Sequence, residues 1–289
     1  MVINKNYNNI YIYKVFIIIN LLINIIDKYY FKSIKNNFLN QKEKIKNTEP
    51  ILKIFIITHR DFQNNRHNPV YNIVADDKSQ LKNNYTNISI IYANEGKLYN
   101  KRRAYCEMSK IYYIYQLYKT GKLSSKYIGF NHYRRYFNFT DNIPNIDDIF
   151  KEYEIILNGA GYLPEGIRQQ YCNYHICEKY DEILNIIKDI KPDYYKSALE
   201  TSNKTKVYFC NLFIMKKEDF FKYCEFMFDI LFEFDRRNNF SSDNDVLNYT
   251  KKIYNDSNMS NRQSRLQAFL SERISNIFFN KNFKKIISF

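Results

Sequence analysis

The chain has 289 residues, of which 45% are hydrophobic and 18% aromatic; that is enough to bury a substantial core and excludes global disorder. Its 44 Lys and Arg against 30 Asp and Glu give a formal net charge of +14. This points to an anionic partner, whether a nucleotide, an anionic lipid surface or nucleic acid.

Residues 1–50 differ from the rest. Ile10 to Ile26 is an apolar run of 17 residues interrupted by Lys14, Asn20 and Asn24, at the floor of the roughly 17–25 residues that a spanning helix needs. Lys5, Lys28, Lys32 and Lys35 lie on both sides of it, so the charge pattern sets no orientation, and no small-residue cleavage site follows. Two readings stand: a soluble helical extension, or a membrane anchor or interfacial helix. Gln41 to Pro50 reads as a charged linker, so the expected units are residues 1–50 and 51–289.

Leu52 to Ile57 is a β-branched run suited to a central strand, and it ends at the polar edge Thr58-His59-Arg60. Ile88 to Tyr92 reads as a second strand. From Arg103 to Lys119 apolar residues fall at helical spacing, and Gly121 stops the helix. Lys126 to Asn131 is a short buried strand that runs into His132-Tyr133-Arg134-Arg135-Tyr136-Phe137. Tyr153 to Leu157 is a further strand, closed by Asn158-Gly159-Ala160-Gly161, whose Gly-x-Gly spacing is by itself a weak phosphate signal.

His175 to Ile190 reads as a helix ending before Pro192, Val207 to Met215 as a strand, and Lys217 to Phe234 as a long aromatic-rich helix. Arg236 to Asn261 is polar and looped, apart from a short helix near Asp245 to Ile253. Arg262 to Phe279 is a last amphipathic helix. Alternating strands and helices imply an α/β fold with a mainly parallel, helix-covered sheet.

Cys106, Cys172, Cys177, Cys210 and Cys224 are odd in number. Cys172 and Cys177 flank His175, but no second pair completes a tetrahedral zinc site. Reduced, mostly buried thiols in a cytosolic-type compartment are expected.

The hexapeptide from His132 to Phe137 is the most informative segment. Ligands of open α/β sheets collect outside the carboxyl ends of strands. A His and two Arg at such an edge supply a titratable base and two planar, permanently charged forks of the kind that diphosphates require.

Five segments together carry a resemblance. They are Ile54 to Thr58 followed by His59; Asn100 with Tyr105-Cys106-Glu107-Met108 and the aromatic run after it; Tyr127 to Phe137; Asn211 to Met215; and Arg265 to Arg273. From about Lys53 to Phe279 the chain resembles the glycosyltransferase-like family catalogued as domain of unknown function 4422, found among capsular and exopolysaccharide biosynthesis proteins. Three features depart from that family's pattern: Tyr stands where Trp is usual in the Cys-Glu helix, Ala268 replaces a Gly, and the apolar N-terminal extension is additional. The resemblance implies a single GT-A-like domain of the nucleotide-diphospho-sugar transferase type. The expected partners are then a nucleotide-sugar donor and a glycan or lipid-linked acceptor. The expected location is cytoplasmic, with membrane association through residues 10–26 as the alternative to a soluble extension.

Sugar transfer from a nucleotide diphosphate requires stabilisation of the leaving group, activation of the acceptor hydroxyl and in-line positioning. GT-A enzymes mostly hold a divalent metal on Asp-x-Asp after a middle strand, and here Asn131 to Arg135 fill that place. The sole Asp-x-Asp is Asp243-Asn244-Asp245, read as a solvated loop or helix cap. The expectation is that Arg134 and Arg135 neutralise the diphosphate without metal. The alternative is a divalent cation, Mn or Mg, held by His132 and a distant carboxylate such as Glu107. His132 is the candidate general base or diphosphate donor, with Glu107 orienting it or an arginine. Thr58, His59, Asn100 and Asn131 are assigned to the nucleotide sugar. Asn211 joins them because an amide inside an apolar run needs partners, either sugar hydroxyls or a neighbouring loop. Glu272 and Arg273 are read as a structural ion pair.

Two other functions fit the same residues less well. A catalytically inactive glycan-binding protein would keep the fold. A nucleic-acid-binding module would concentrate its basic residues on one face or arm, whereas here they are spread through every segment.

Overall fold

Strand β1 (Leu52–Ile57) lies between β2 (Tyr71–Ala75) and β4 (Tyr127–His132), parallel to both, with β3 (Ser89–Tyr92) outside β2. The structure, a computed structural model, describes residues 50–139 and 141–288. Strands β5 (Ile155–Leu157), β8 (Phe213–Lys216) and β9 (Ile286–Ser288) complete a seven-stranded sheet of order β3-β2-β1-β4-β8-β5-β9, while β6 (Gly161–Tyr162) and β7 (Lys206–Val207) form a separate antiparallel pair. Only β8 runs antiparallel within the large sheet, against β4 and β5. The mainly parallel α/β architecture expected from the alternating pattern is what folds.

Ten helices occur among the described residues: α1 (Arg102–Tyr105), α2 (Glu107–Lys119), α3 (Ile146–Glu152), α4 (Ile167–Tyr174), α5 (Cys177–Ile190), α6 (Pro192–Ser202), α7 (Lys217–Asn238), α8 (Asp243–Ile253), α9 (Ser257–Gln263) and α10 (Leu266–Asn282). The pleat sends alternate residues of β1 to opposite faces. Phe55 and Ile57 join Met108, Ile111 and Ile114 of α2 in the larger core, while Ile54 and Ile56 pack with Ile146 and Phe150 of α3 in the smaller one. Both faces of β1 are therefore buried, which explains its continuous apolar run from Ile54 to Ile57. Gly129 of β4 is required by this packing, because a Cβ there would lie 2.8 Å from Ile214 Cγ1 and 3.2 Å from Ile54 Cγ1.

Five local expectations are corrected. The helix read over Arg103 to Lys119 breaks at Cys106, whose φ of 48° ends α1 and lets α2 start afresh at Glu107. The strand read over Val207 to Met215 is interrupted, because Cys210 (φ 70°) and Asn211 (φ 49°) adopt left-handed backbone. The helix expected from His175 starts at Cys177, and that expected from Arg262 divides into α9 and α10. Cys172 and Cys177, expected to be reduced, are joined in a disulfide that clips the end of α4 to the start of α5. The sequence reading had no counterpart for β2, whose five-residue run contains a buried Asn72, nor for α3, β6, α4, α6 and the edge strand β9.

Among the described residues, no helix is long and apolar enough to cross a membrane. The apolar run over residues 10–26 lies outside the described residues.

Candidate active site

Because β2, β1 and β4 are parallel, the chain leaves all three at one sheet edge. Thr58, Asp76 and His132–Arg134 gather there around a cavity of about 520 Å³, in the crevice position where open α/β sheets bind ligands. The opposite wall comes from α1 and α2, which bring Arg102, Arg103, Cys106, Glu107 and Lys110, and from Arg265 ahead of α10. The position of α1 is fixed by Asp243, which accepts hydrogen bonds from the backbone N–H groups of Arg103 (3.1 Å) and Ala104 (2.8 Å). Asp245 forms a capping box with Ser242 at the start of α8. The sole Asp-x-Asp thus serves helix ends, as its sequence context implied.

Six basic side chains line this cavity, namely Arg60, Arg102, Arg103, Lys110, Arg134 and Arg265, against two carboxylates. One of the two, Asp76, is already paired with Lys110 in a buried ion pair. The surplus is a fixed positive field facing the cavity, which concentrates anions. Guanidinium forks present donors in the geometry that phosphate oxygens accept.

The turn after β4 closes through the His132 N–H donating to Arg135 O at 2.8 Å. It aims the two arginines apart. Arg134 lines the main cavity, whereas Arg135 faces a second cavity of about 380 Å³ and places Nη1 against Cys210 Sγ. The two arginines expected to act together on one diphosphate thus line different cavities.

His132 lines the main cavity with its Nε2 buried and unpartnered. Burial, only partly offset by Glu272 and reinforced by Arg135, Arg134 and Lys110, pushes its pKa down to about 4. Near neutral pH the imidazole is uncharged. It is then a weak base and a capable hydrogen-bond donor or acceptor.

His59 lines the cavity edge-on to Tyr133, with ring centroids 5.3 Å apart. Its pKa is held below the ordinary value by burial and then by Lys110, Arg60, Arg134 and Arg265. Thr58 also lines the cavity, but its hydroxyl bonds the backbone of Arg60 and so shapes the loop.

Three of the expected nucleotide-sugar contacts lie elsewhere. Asn100 is outside the cavity and donates to Ser241 O at 3.0 Å. Asn131 is fully buried, does not line the cavity, and its side-chain N and O have no partner among the described residues; strand alternation turns it to the sheet face opposite His132. Asn211 donates to Glu107 Oε1 (3.0 Å) and Ser271 Oγ (3.3 Å) and accepts from Ser275 Oγ (2.6 Å). It is an internal brace. Glu107 is likewise buried, with its carboxyl pKa raised by that burial. Among the described residues it accepts its side-chain hydrogen bond from Asn211 rather than from His132 or an arginine. Glu272 and Arg273 do pair, at 2.9 Å.

Asp76, Arg60, Arg102, Arg103, Lys110 and Arg265 were not singled out in the sequence. Arg102 and Arg103 stand beside Asn100 in one of the quoted segments, and Arg265 opens another, so proximity to those segments was an available signal. Asp76 follows the unrecognised β2 and had none. Among the described residues no group of three or more His, Cys, Asp or Glu side chains is arranged to hold a metal ion.

His175, outside the main cavity, is stacked on Phe269 with centroids 4.1 Å apart and bonded through Nδ1 to Gln263 Oε1 at 3.0 Å. Its pKa is pushed from the ordinary 6.5 to about 4, first by burial. The unfolded chain therefore takes up the proton more readily than the folded one. The stabilisation is present above about pH 6.5 and is lost as the pH falls through 4. Between pH 7 and pH 5 this group alone should cost on the order of 1–2 kcal/mol. His132 acts with the same sign. The raised carboxyls of Glu107 and Glu272 oppose it at lower pH. Urea unfolding at pH 7 and 5 should show a smaller acid loss in His175→Gln than in wild type; an equal loss would remove His175 from this account.

Residues 53–283 match the family model described as "Domain of unknown function (DUF4422)". The chain belongs to the DUF4422 family. This DUF4422 domain is similar to the solved apo structure of the bifunctional glycosyltransferase WbbM, with a TM-score of 0.58 and 18% sequence identity over 82% of this chain. The likeness covers 45% of the WbbM chain, so the DUF4422 protein spans less than half of that protein's length. At this identity it is the fold that is shared. No curated protein matches the sequence.

Proposed function

We propose that this chain is a glycosyltransferase that binds a nucleotide-diphospho-sugar in the main cavity and passes its sugar to a glycan or lipid-linked acceptor. The observation that carries this reading is the cluster of five arginines and Lys110 around one cavity at the carboxyl ends of β1, β2 and β4. The WbbM-like fold supports it.

The roles divide by position. Arg134 and Arg265 face the diphosphate and offset the charge that grows on it as the sugar departs. Neutral His132 donates from its otherwise unpartnered Nε2 to a diphosphate oxygen. Arg102 and Arg103 flank the nucleotide. The guanidinium groups supply charge stabilisation without a metal.

The test is calorimetric titration of the purified protein with UDP-, GDP- and CDP-sugars, in EDTA and again with manganese. The expected result is that at least one donor binds, with a similar Kd in both buffers. Binding that appears only with manganese would overturn the arginine-only stabilisation. Absence of binding by every donor would overturn the transferase reading.

A further inference from the structure

The second cavity lies at the same sheet edge as the first, one step along the sheet. Arg135 follows β4, Asn158 and Gly159 follow β5, and Phe209 and Cys210 precede the antiparallel β8, so all of them meet where β4, β8 and β5 present their ends. Glu272, projecting from α10, closes the wall. The four-residue turn from His132 to Arg135 separates the two cavities, with Arg134 on one side and Arg135 on the other. We propose that the second cavity binds the acceptor sugar and that the Glu272 carboxylate takes the proton from its attacking hydroxyl. This rests on the donor reading of the main cavity.

The lining suits a neutral sugar. Phe209 offers a ring for an apolar C–H face, while the Asn158 amide and the Arg135 guanidinium offer donors for hydroxyl oxygens. Glu272 keeps one side open, with its side chain 20% exposed, although Oε1 accepts the Cys210 N–H at 3.2 Å and Oε2 pairs with Arg273. Each carboxylate oxygen has a second lone-pair site. His132 is the weaker base of the two residues at this boundary, and Glu272 has its carboxyl pKa raised by burial, toward the range that suits a base near neutral pH.

The proton of the acceptor O–H moves to Glu272. The oxygen lone pair forms the bond to the anomeric carbon. The bond from that carbon to the diphosphate oxygen breaks, and its electron pair leaves with the diphosphate beside Arg134.

The test uses the full chain and the nucleotide sugar that binds wild type most tightly. Octyl β-glycosides of glucose, galactose and N-acetylglucosamine serve as acceptor probes, and water serves when none is glycosylated. Glu272→Gln should lower turnover at least about 100-fold, within the usual range for a positioned base, remove the acid limb of the pH profile, and leave donor Kd within about threefold. Gly159→Val is a second variant, at a position where an added Cβ meets nothing within 4 Å, and its fold is checked by its urea unfolding. It should weaken glycoside binding at least about fivefold, read by NMR titration, with donor Kd unchanged. Turnover of Glu272→Gln within about threefold of wild type would overturn the base assignment. Equal glycoside binding by wild type and Gly159→Val would overturn the cavity assignment. If wild type bound no nucleotide sugar the donor reading would fall, and the glycoside titration would still decide the cavity.

Discussion

Asn211→Ala is expected to destabilise the folded protein by about 3–5 kcal/mol. Two physical causes add. The amide holds three buried partners, Glu107, Ser271 and Ser275, and removing it leaves a buried carboxyl and two hydroxyls short of a bond, at about 1–3 kcal/mol for such groups. Its backbone is also left-handed, with φ 49° beside Cys210 at 70°, a region that Asn tolerates better than Ala. Asn211→Gly loses the same hydrogen bonds without the backbone penalty, so it should be the milder variant by about 1 kcal/mol. Urea unfolding of the two variants separates the terms. A loss below about 1 kcal/mol in Asn211→Ala would show that the brace contributes little. Because Asn211 sits outside the main cavity, folded Asn211 variants should keep the donor affinity of wild type.

The second large effect concerns the anion. The double variant Arg134→Ala, Arg265→Ala should bind a nucleoside diphosphate about 3–6 kcal/mol more weakly than wild type. Each lost charge-assisted hydrogen bond contributes about 1.5–3 kcal/mol, and the sum holds to the extent that the two act independently. The two guanidiniums come from different parts of the chain, one from the turn after β4 and one from ahead of α10, so additivity is the fair expectation. The nucleoside monophosphate should lose less than the diphosphate. Affinity should also fall with added salt in wild type and do so less steeply in the double variant. Titration with UDP and UMP at two ionic strengths reads both. An affinity for UDP within threefold of wild type would place the diphosphate elsewhere.

What could be read in the sequence was whatever depends on neighbours a few residues apart. Leu52 to Ile57 forms a strand because Ile54, Ile56 and Ile57 with Leu52 and Phe55 make it apolar and β-prone, and the strand running into His132 was recognised from Ile128 and Phe130. The Lys217 helix followed from its own spacing, and the placement of a basic motif at a strand end came from those two facts together. The break at Cys106 and the paired left-handed residues at Cys210 and Asn211 were not legible. Each trades local propensity for a long-range contact: Arg265 Nε meets Cys106 Sγ at 3.1 Å, and Asn211 meets Glu107 from 104 residues away.

The motif from His132 to Phe137 shows where the two kinds of information divide. By itself the sequence determined that a His and two Arg stand at the end of a buried strand, which was enough to single out that sheet edge. Only the tertiary structure decided that Arg134 and Arg135 face different cavities, that burial of the His132 ring lowers its pKa, and that Asn211 and Glu107 satisfy each other inside the core. Side-chain identity is local. The direction in which a turn aims a side chain, and the charge it keeps after burial, are set by β8, α2 and α10, which reach the site from distant parts of the chain.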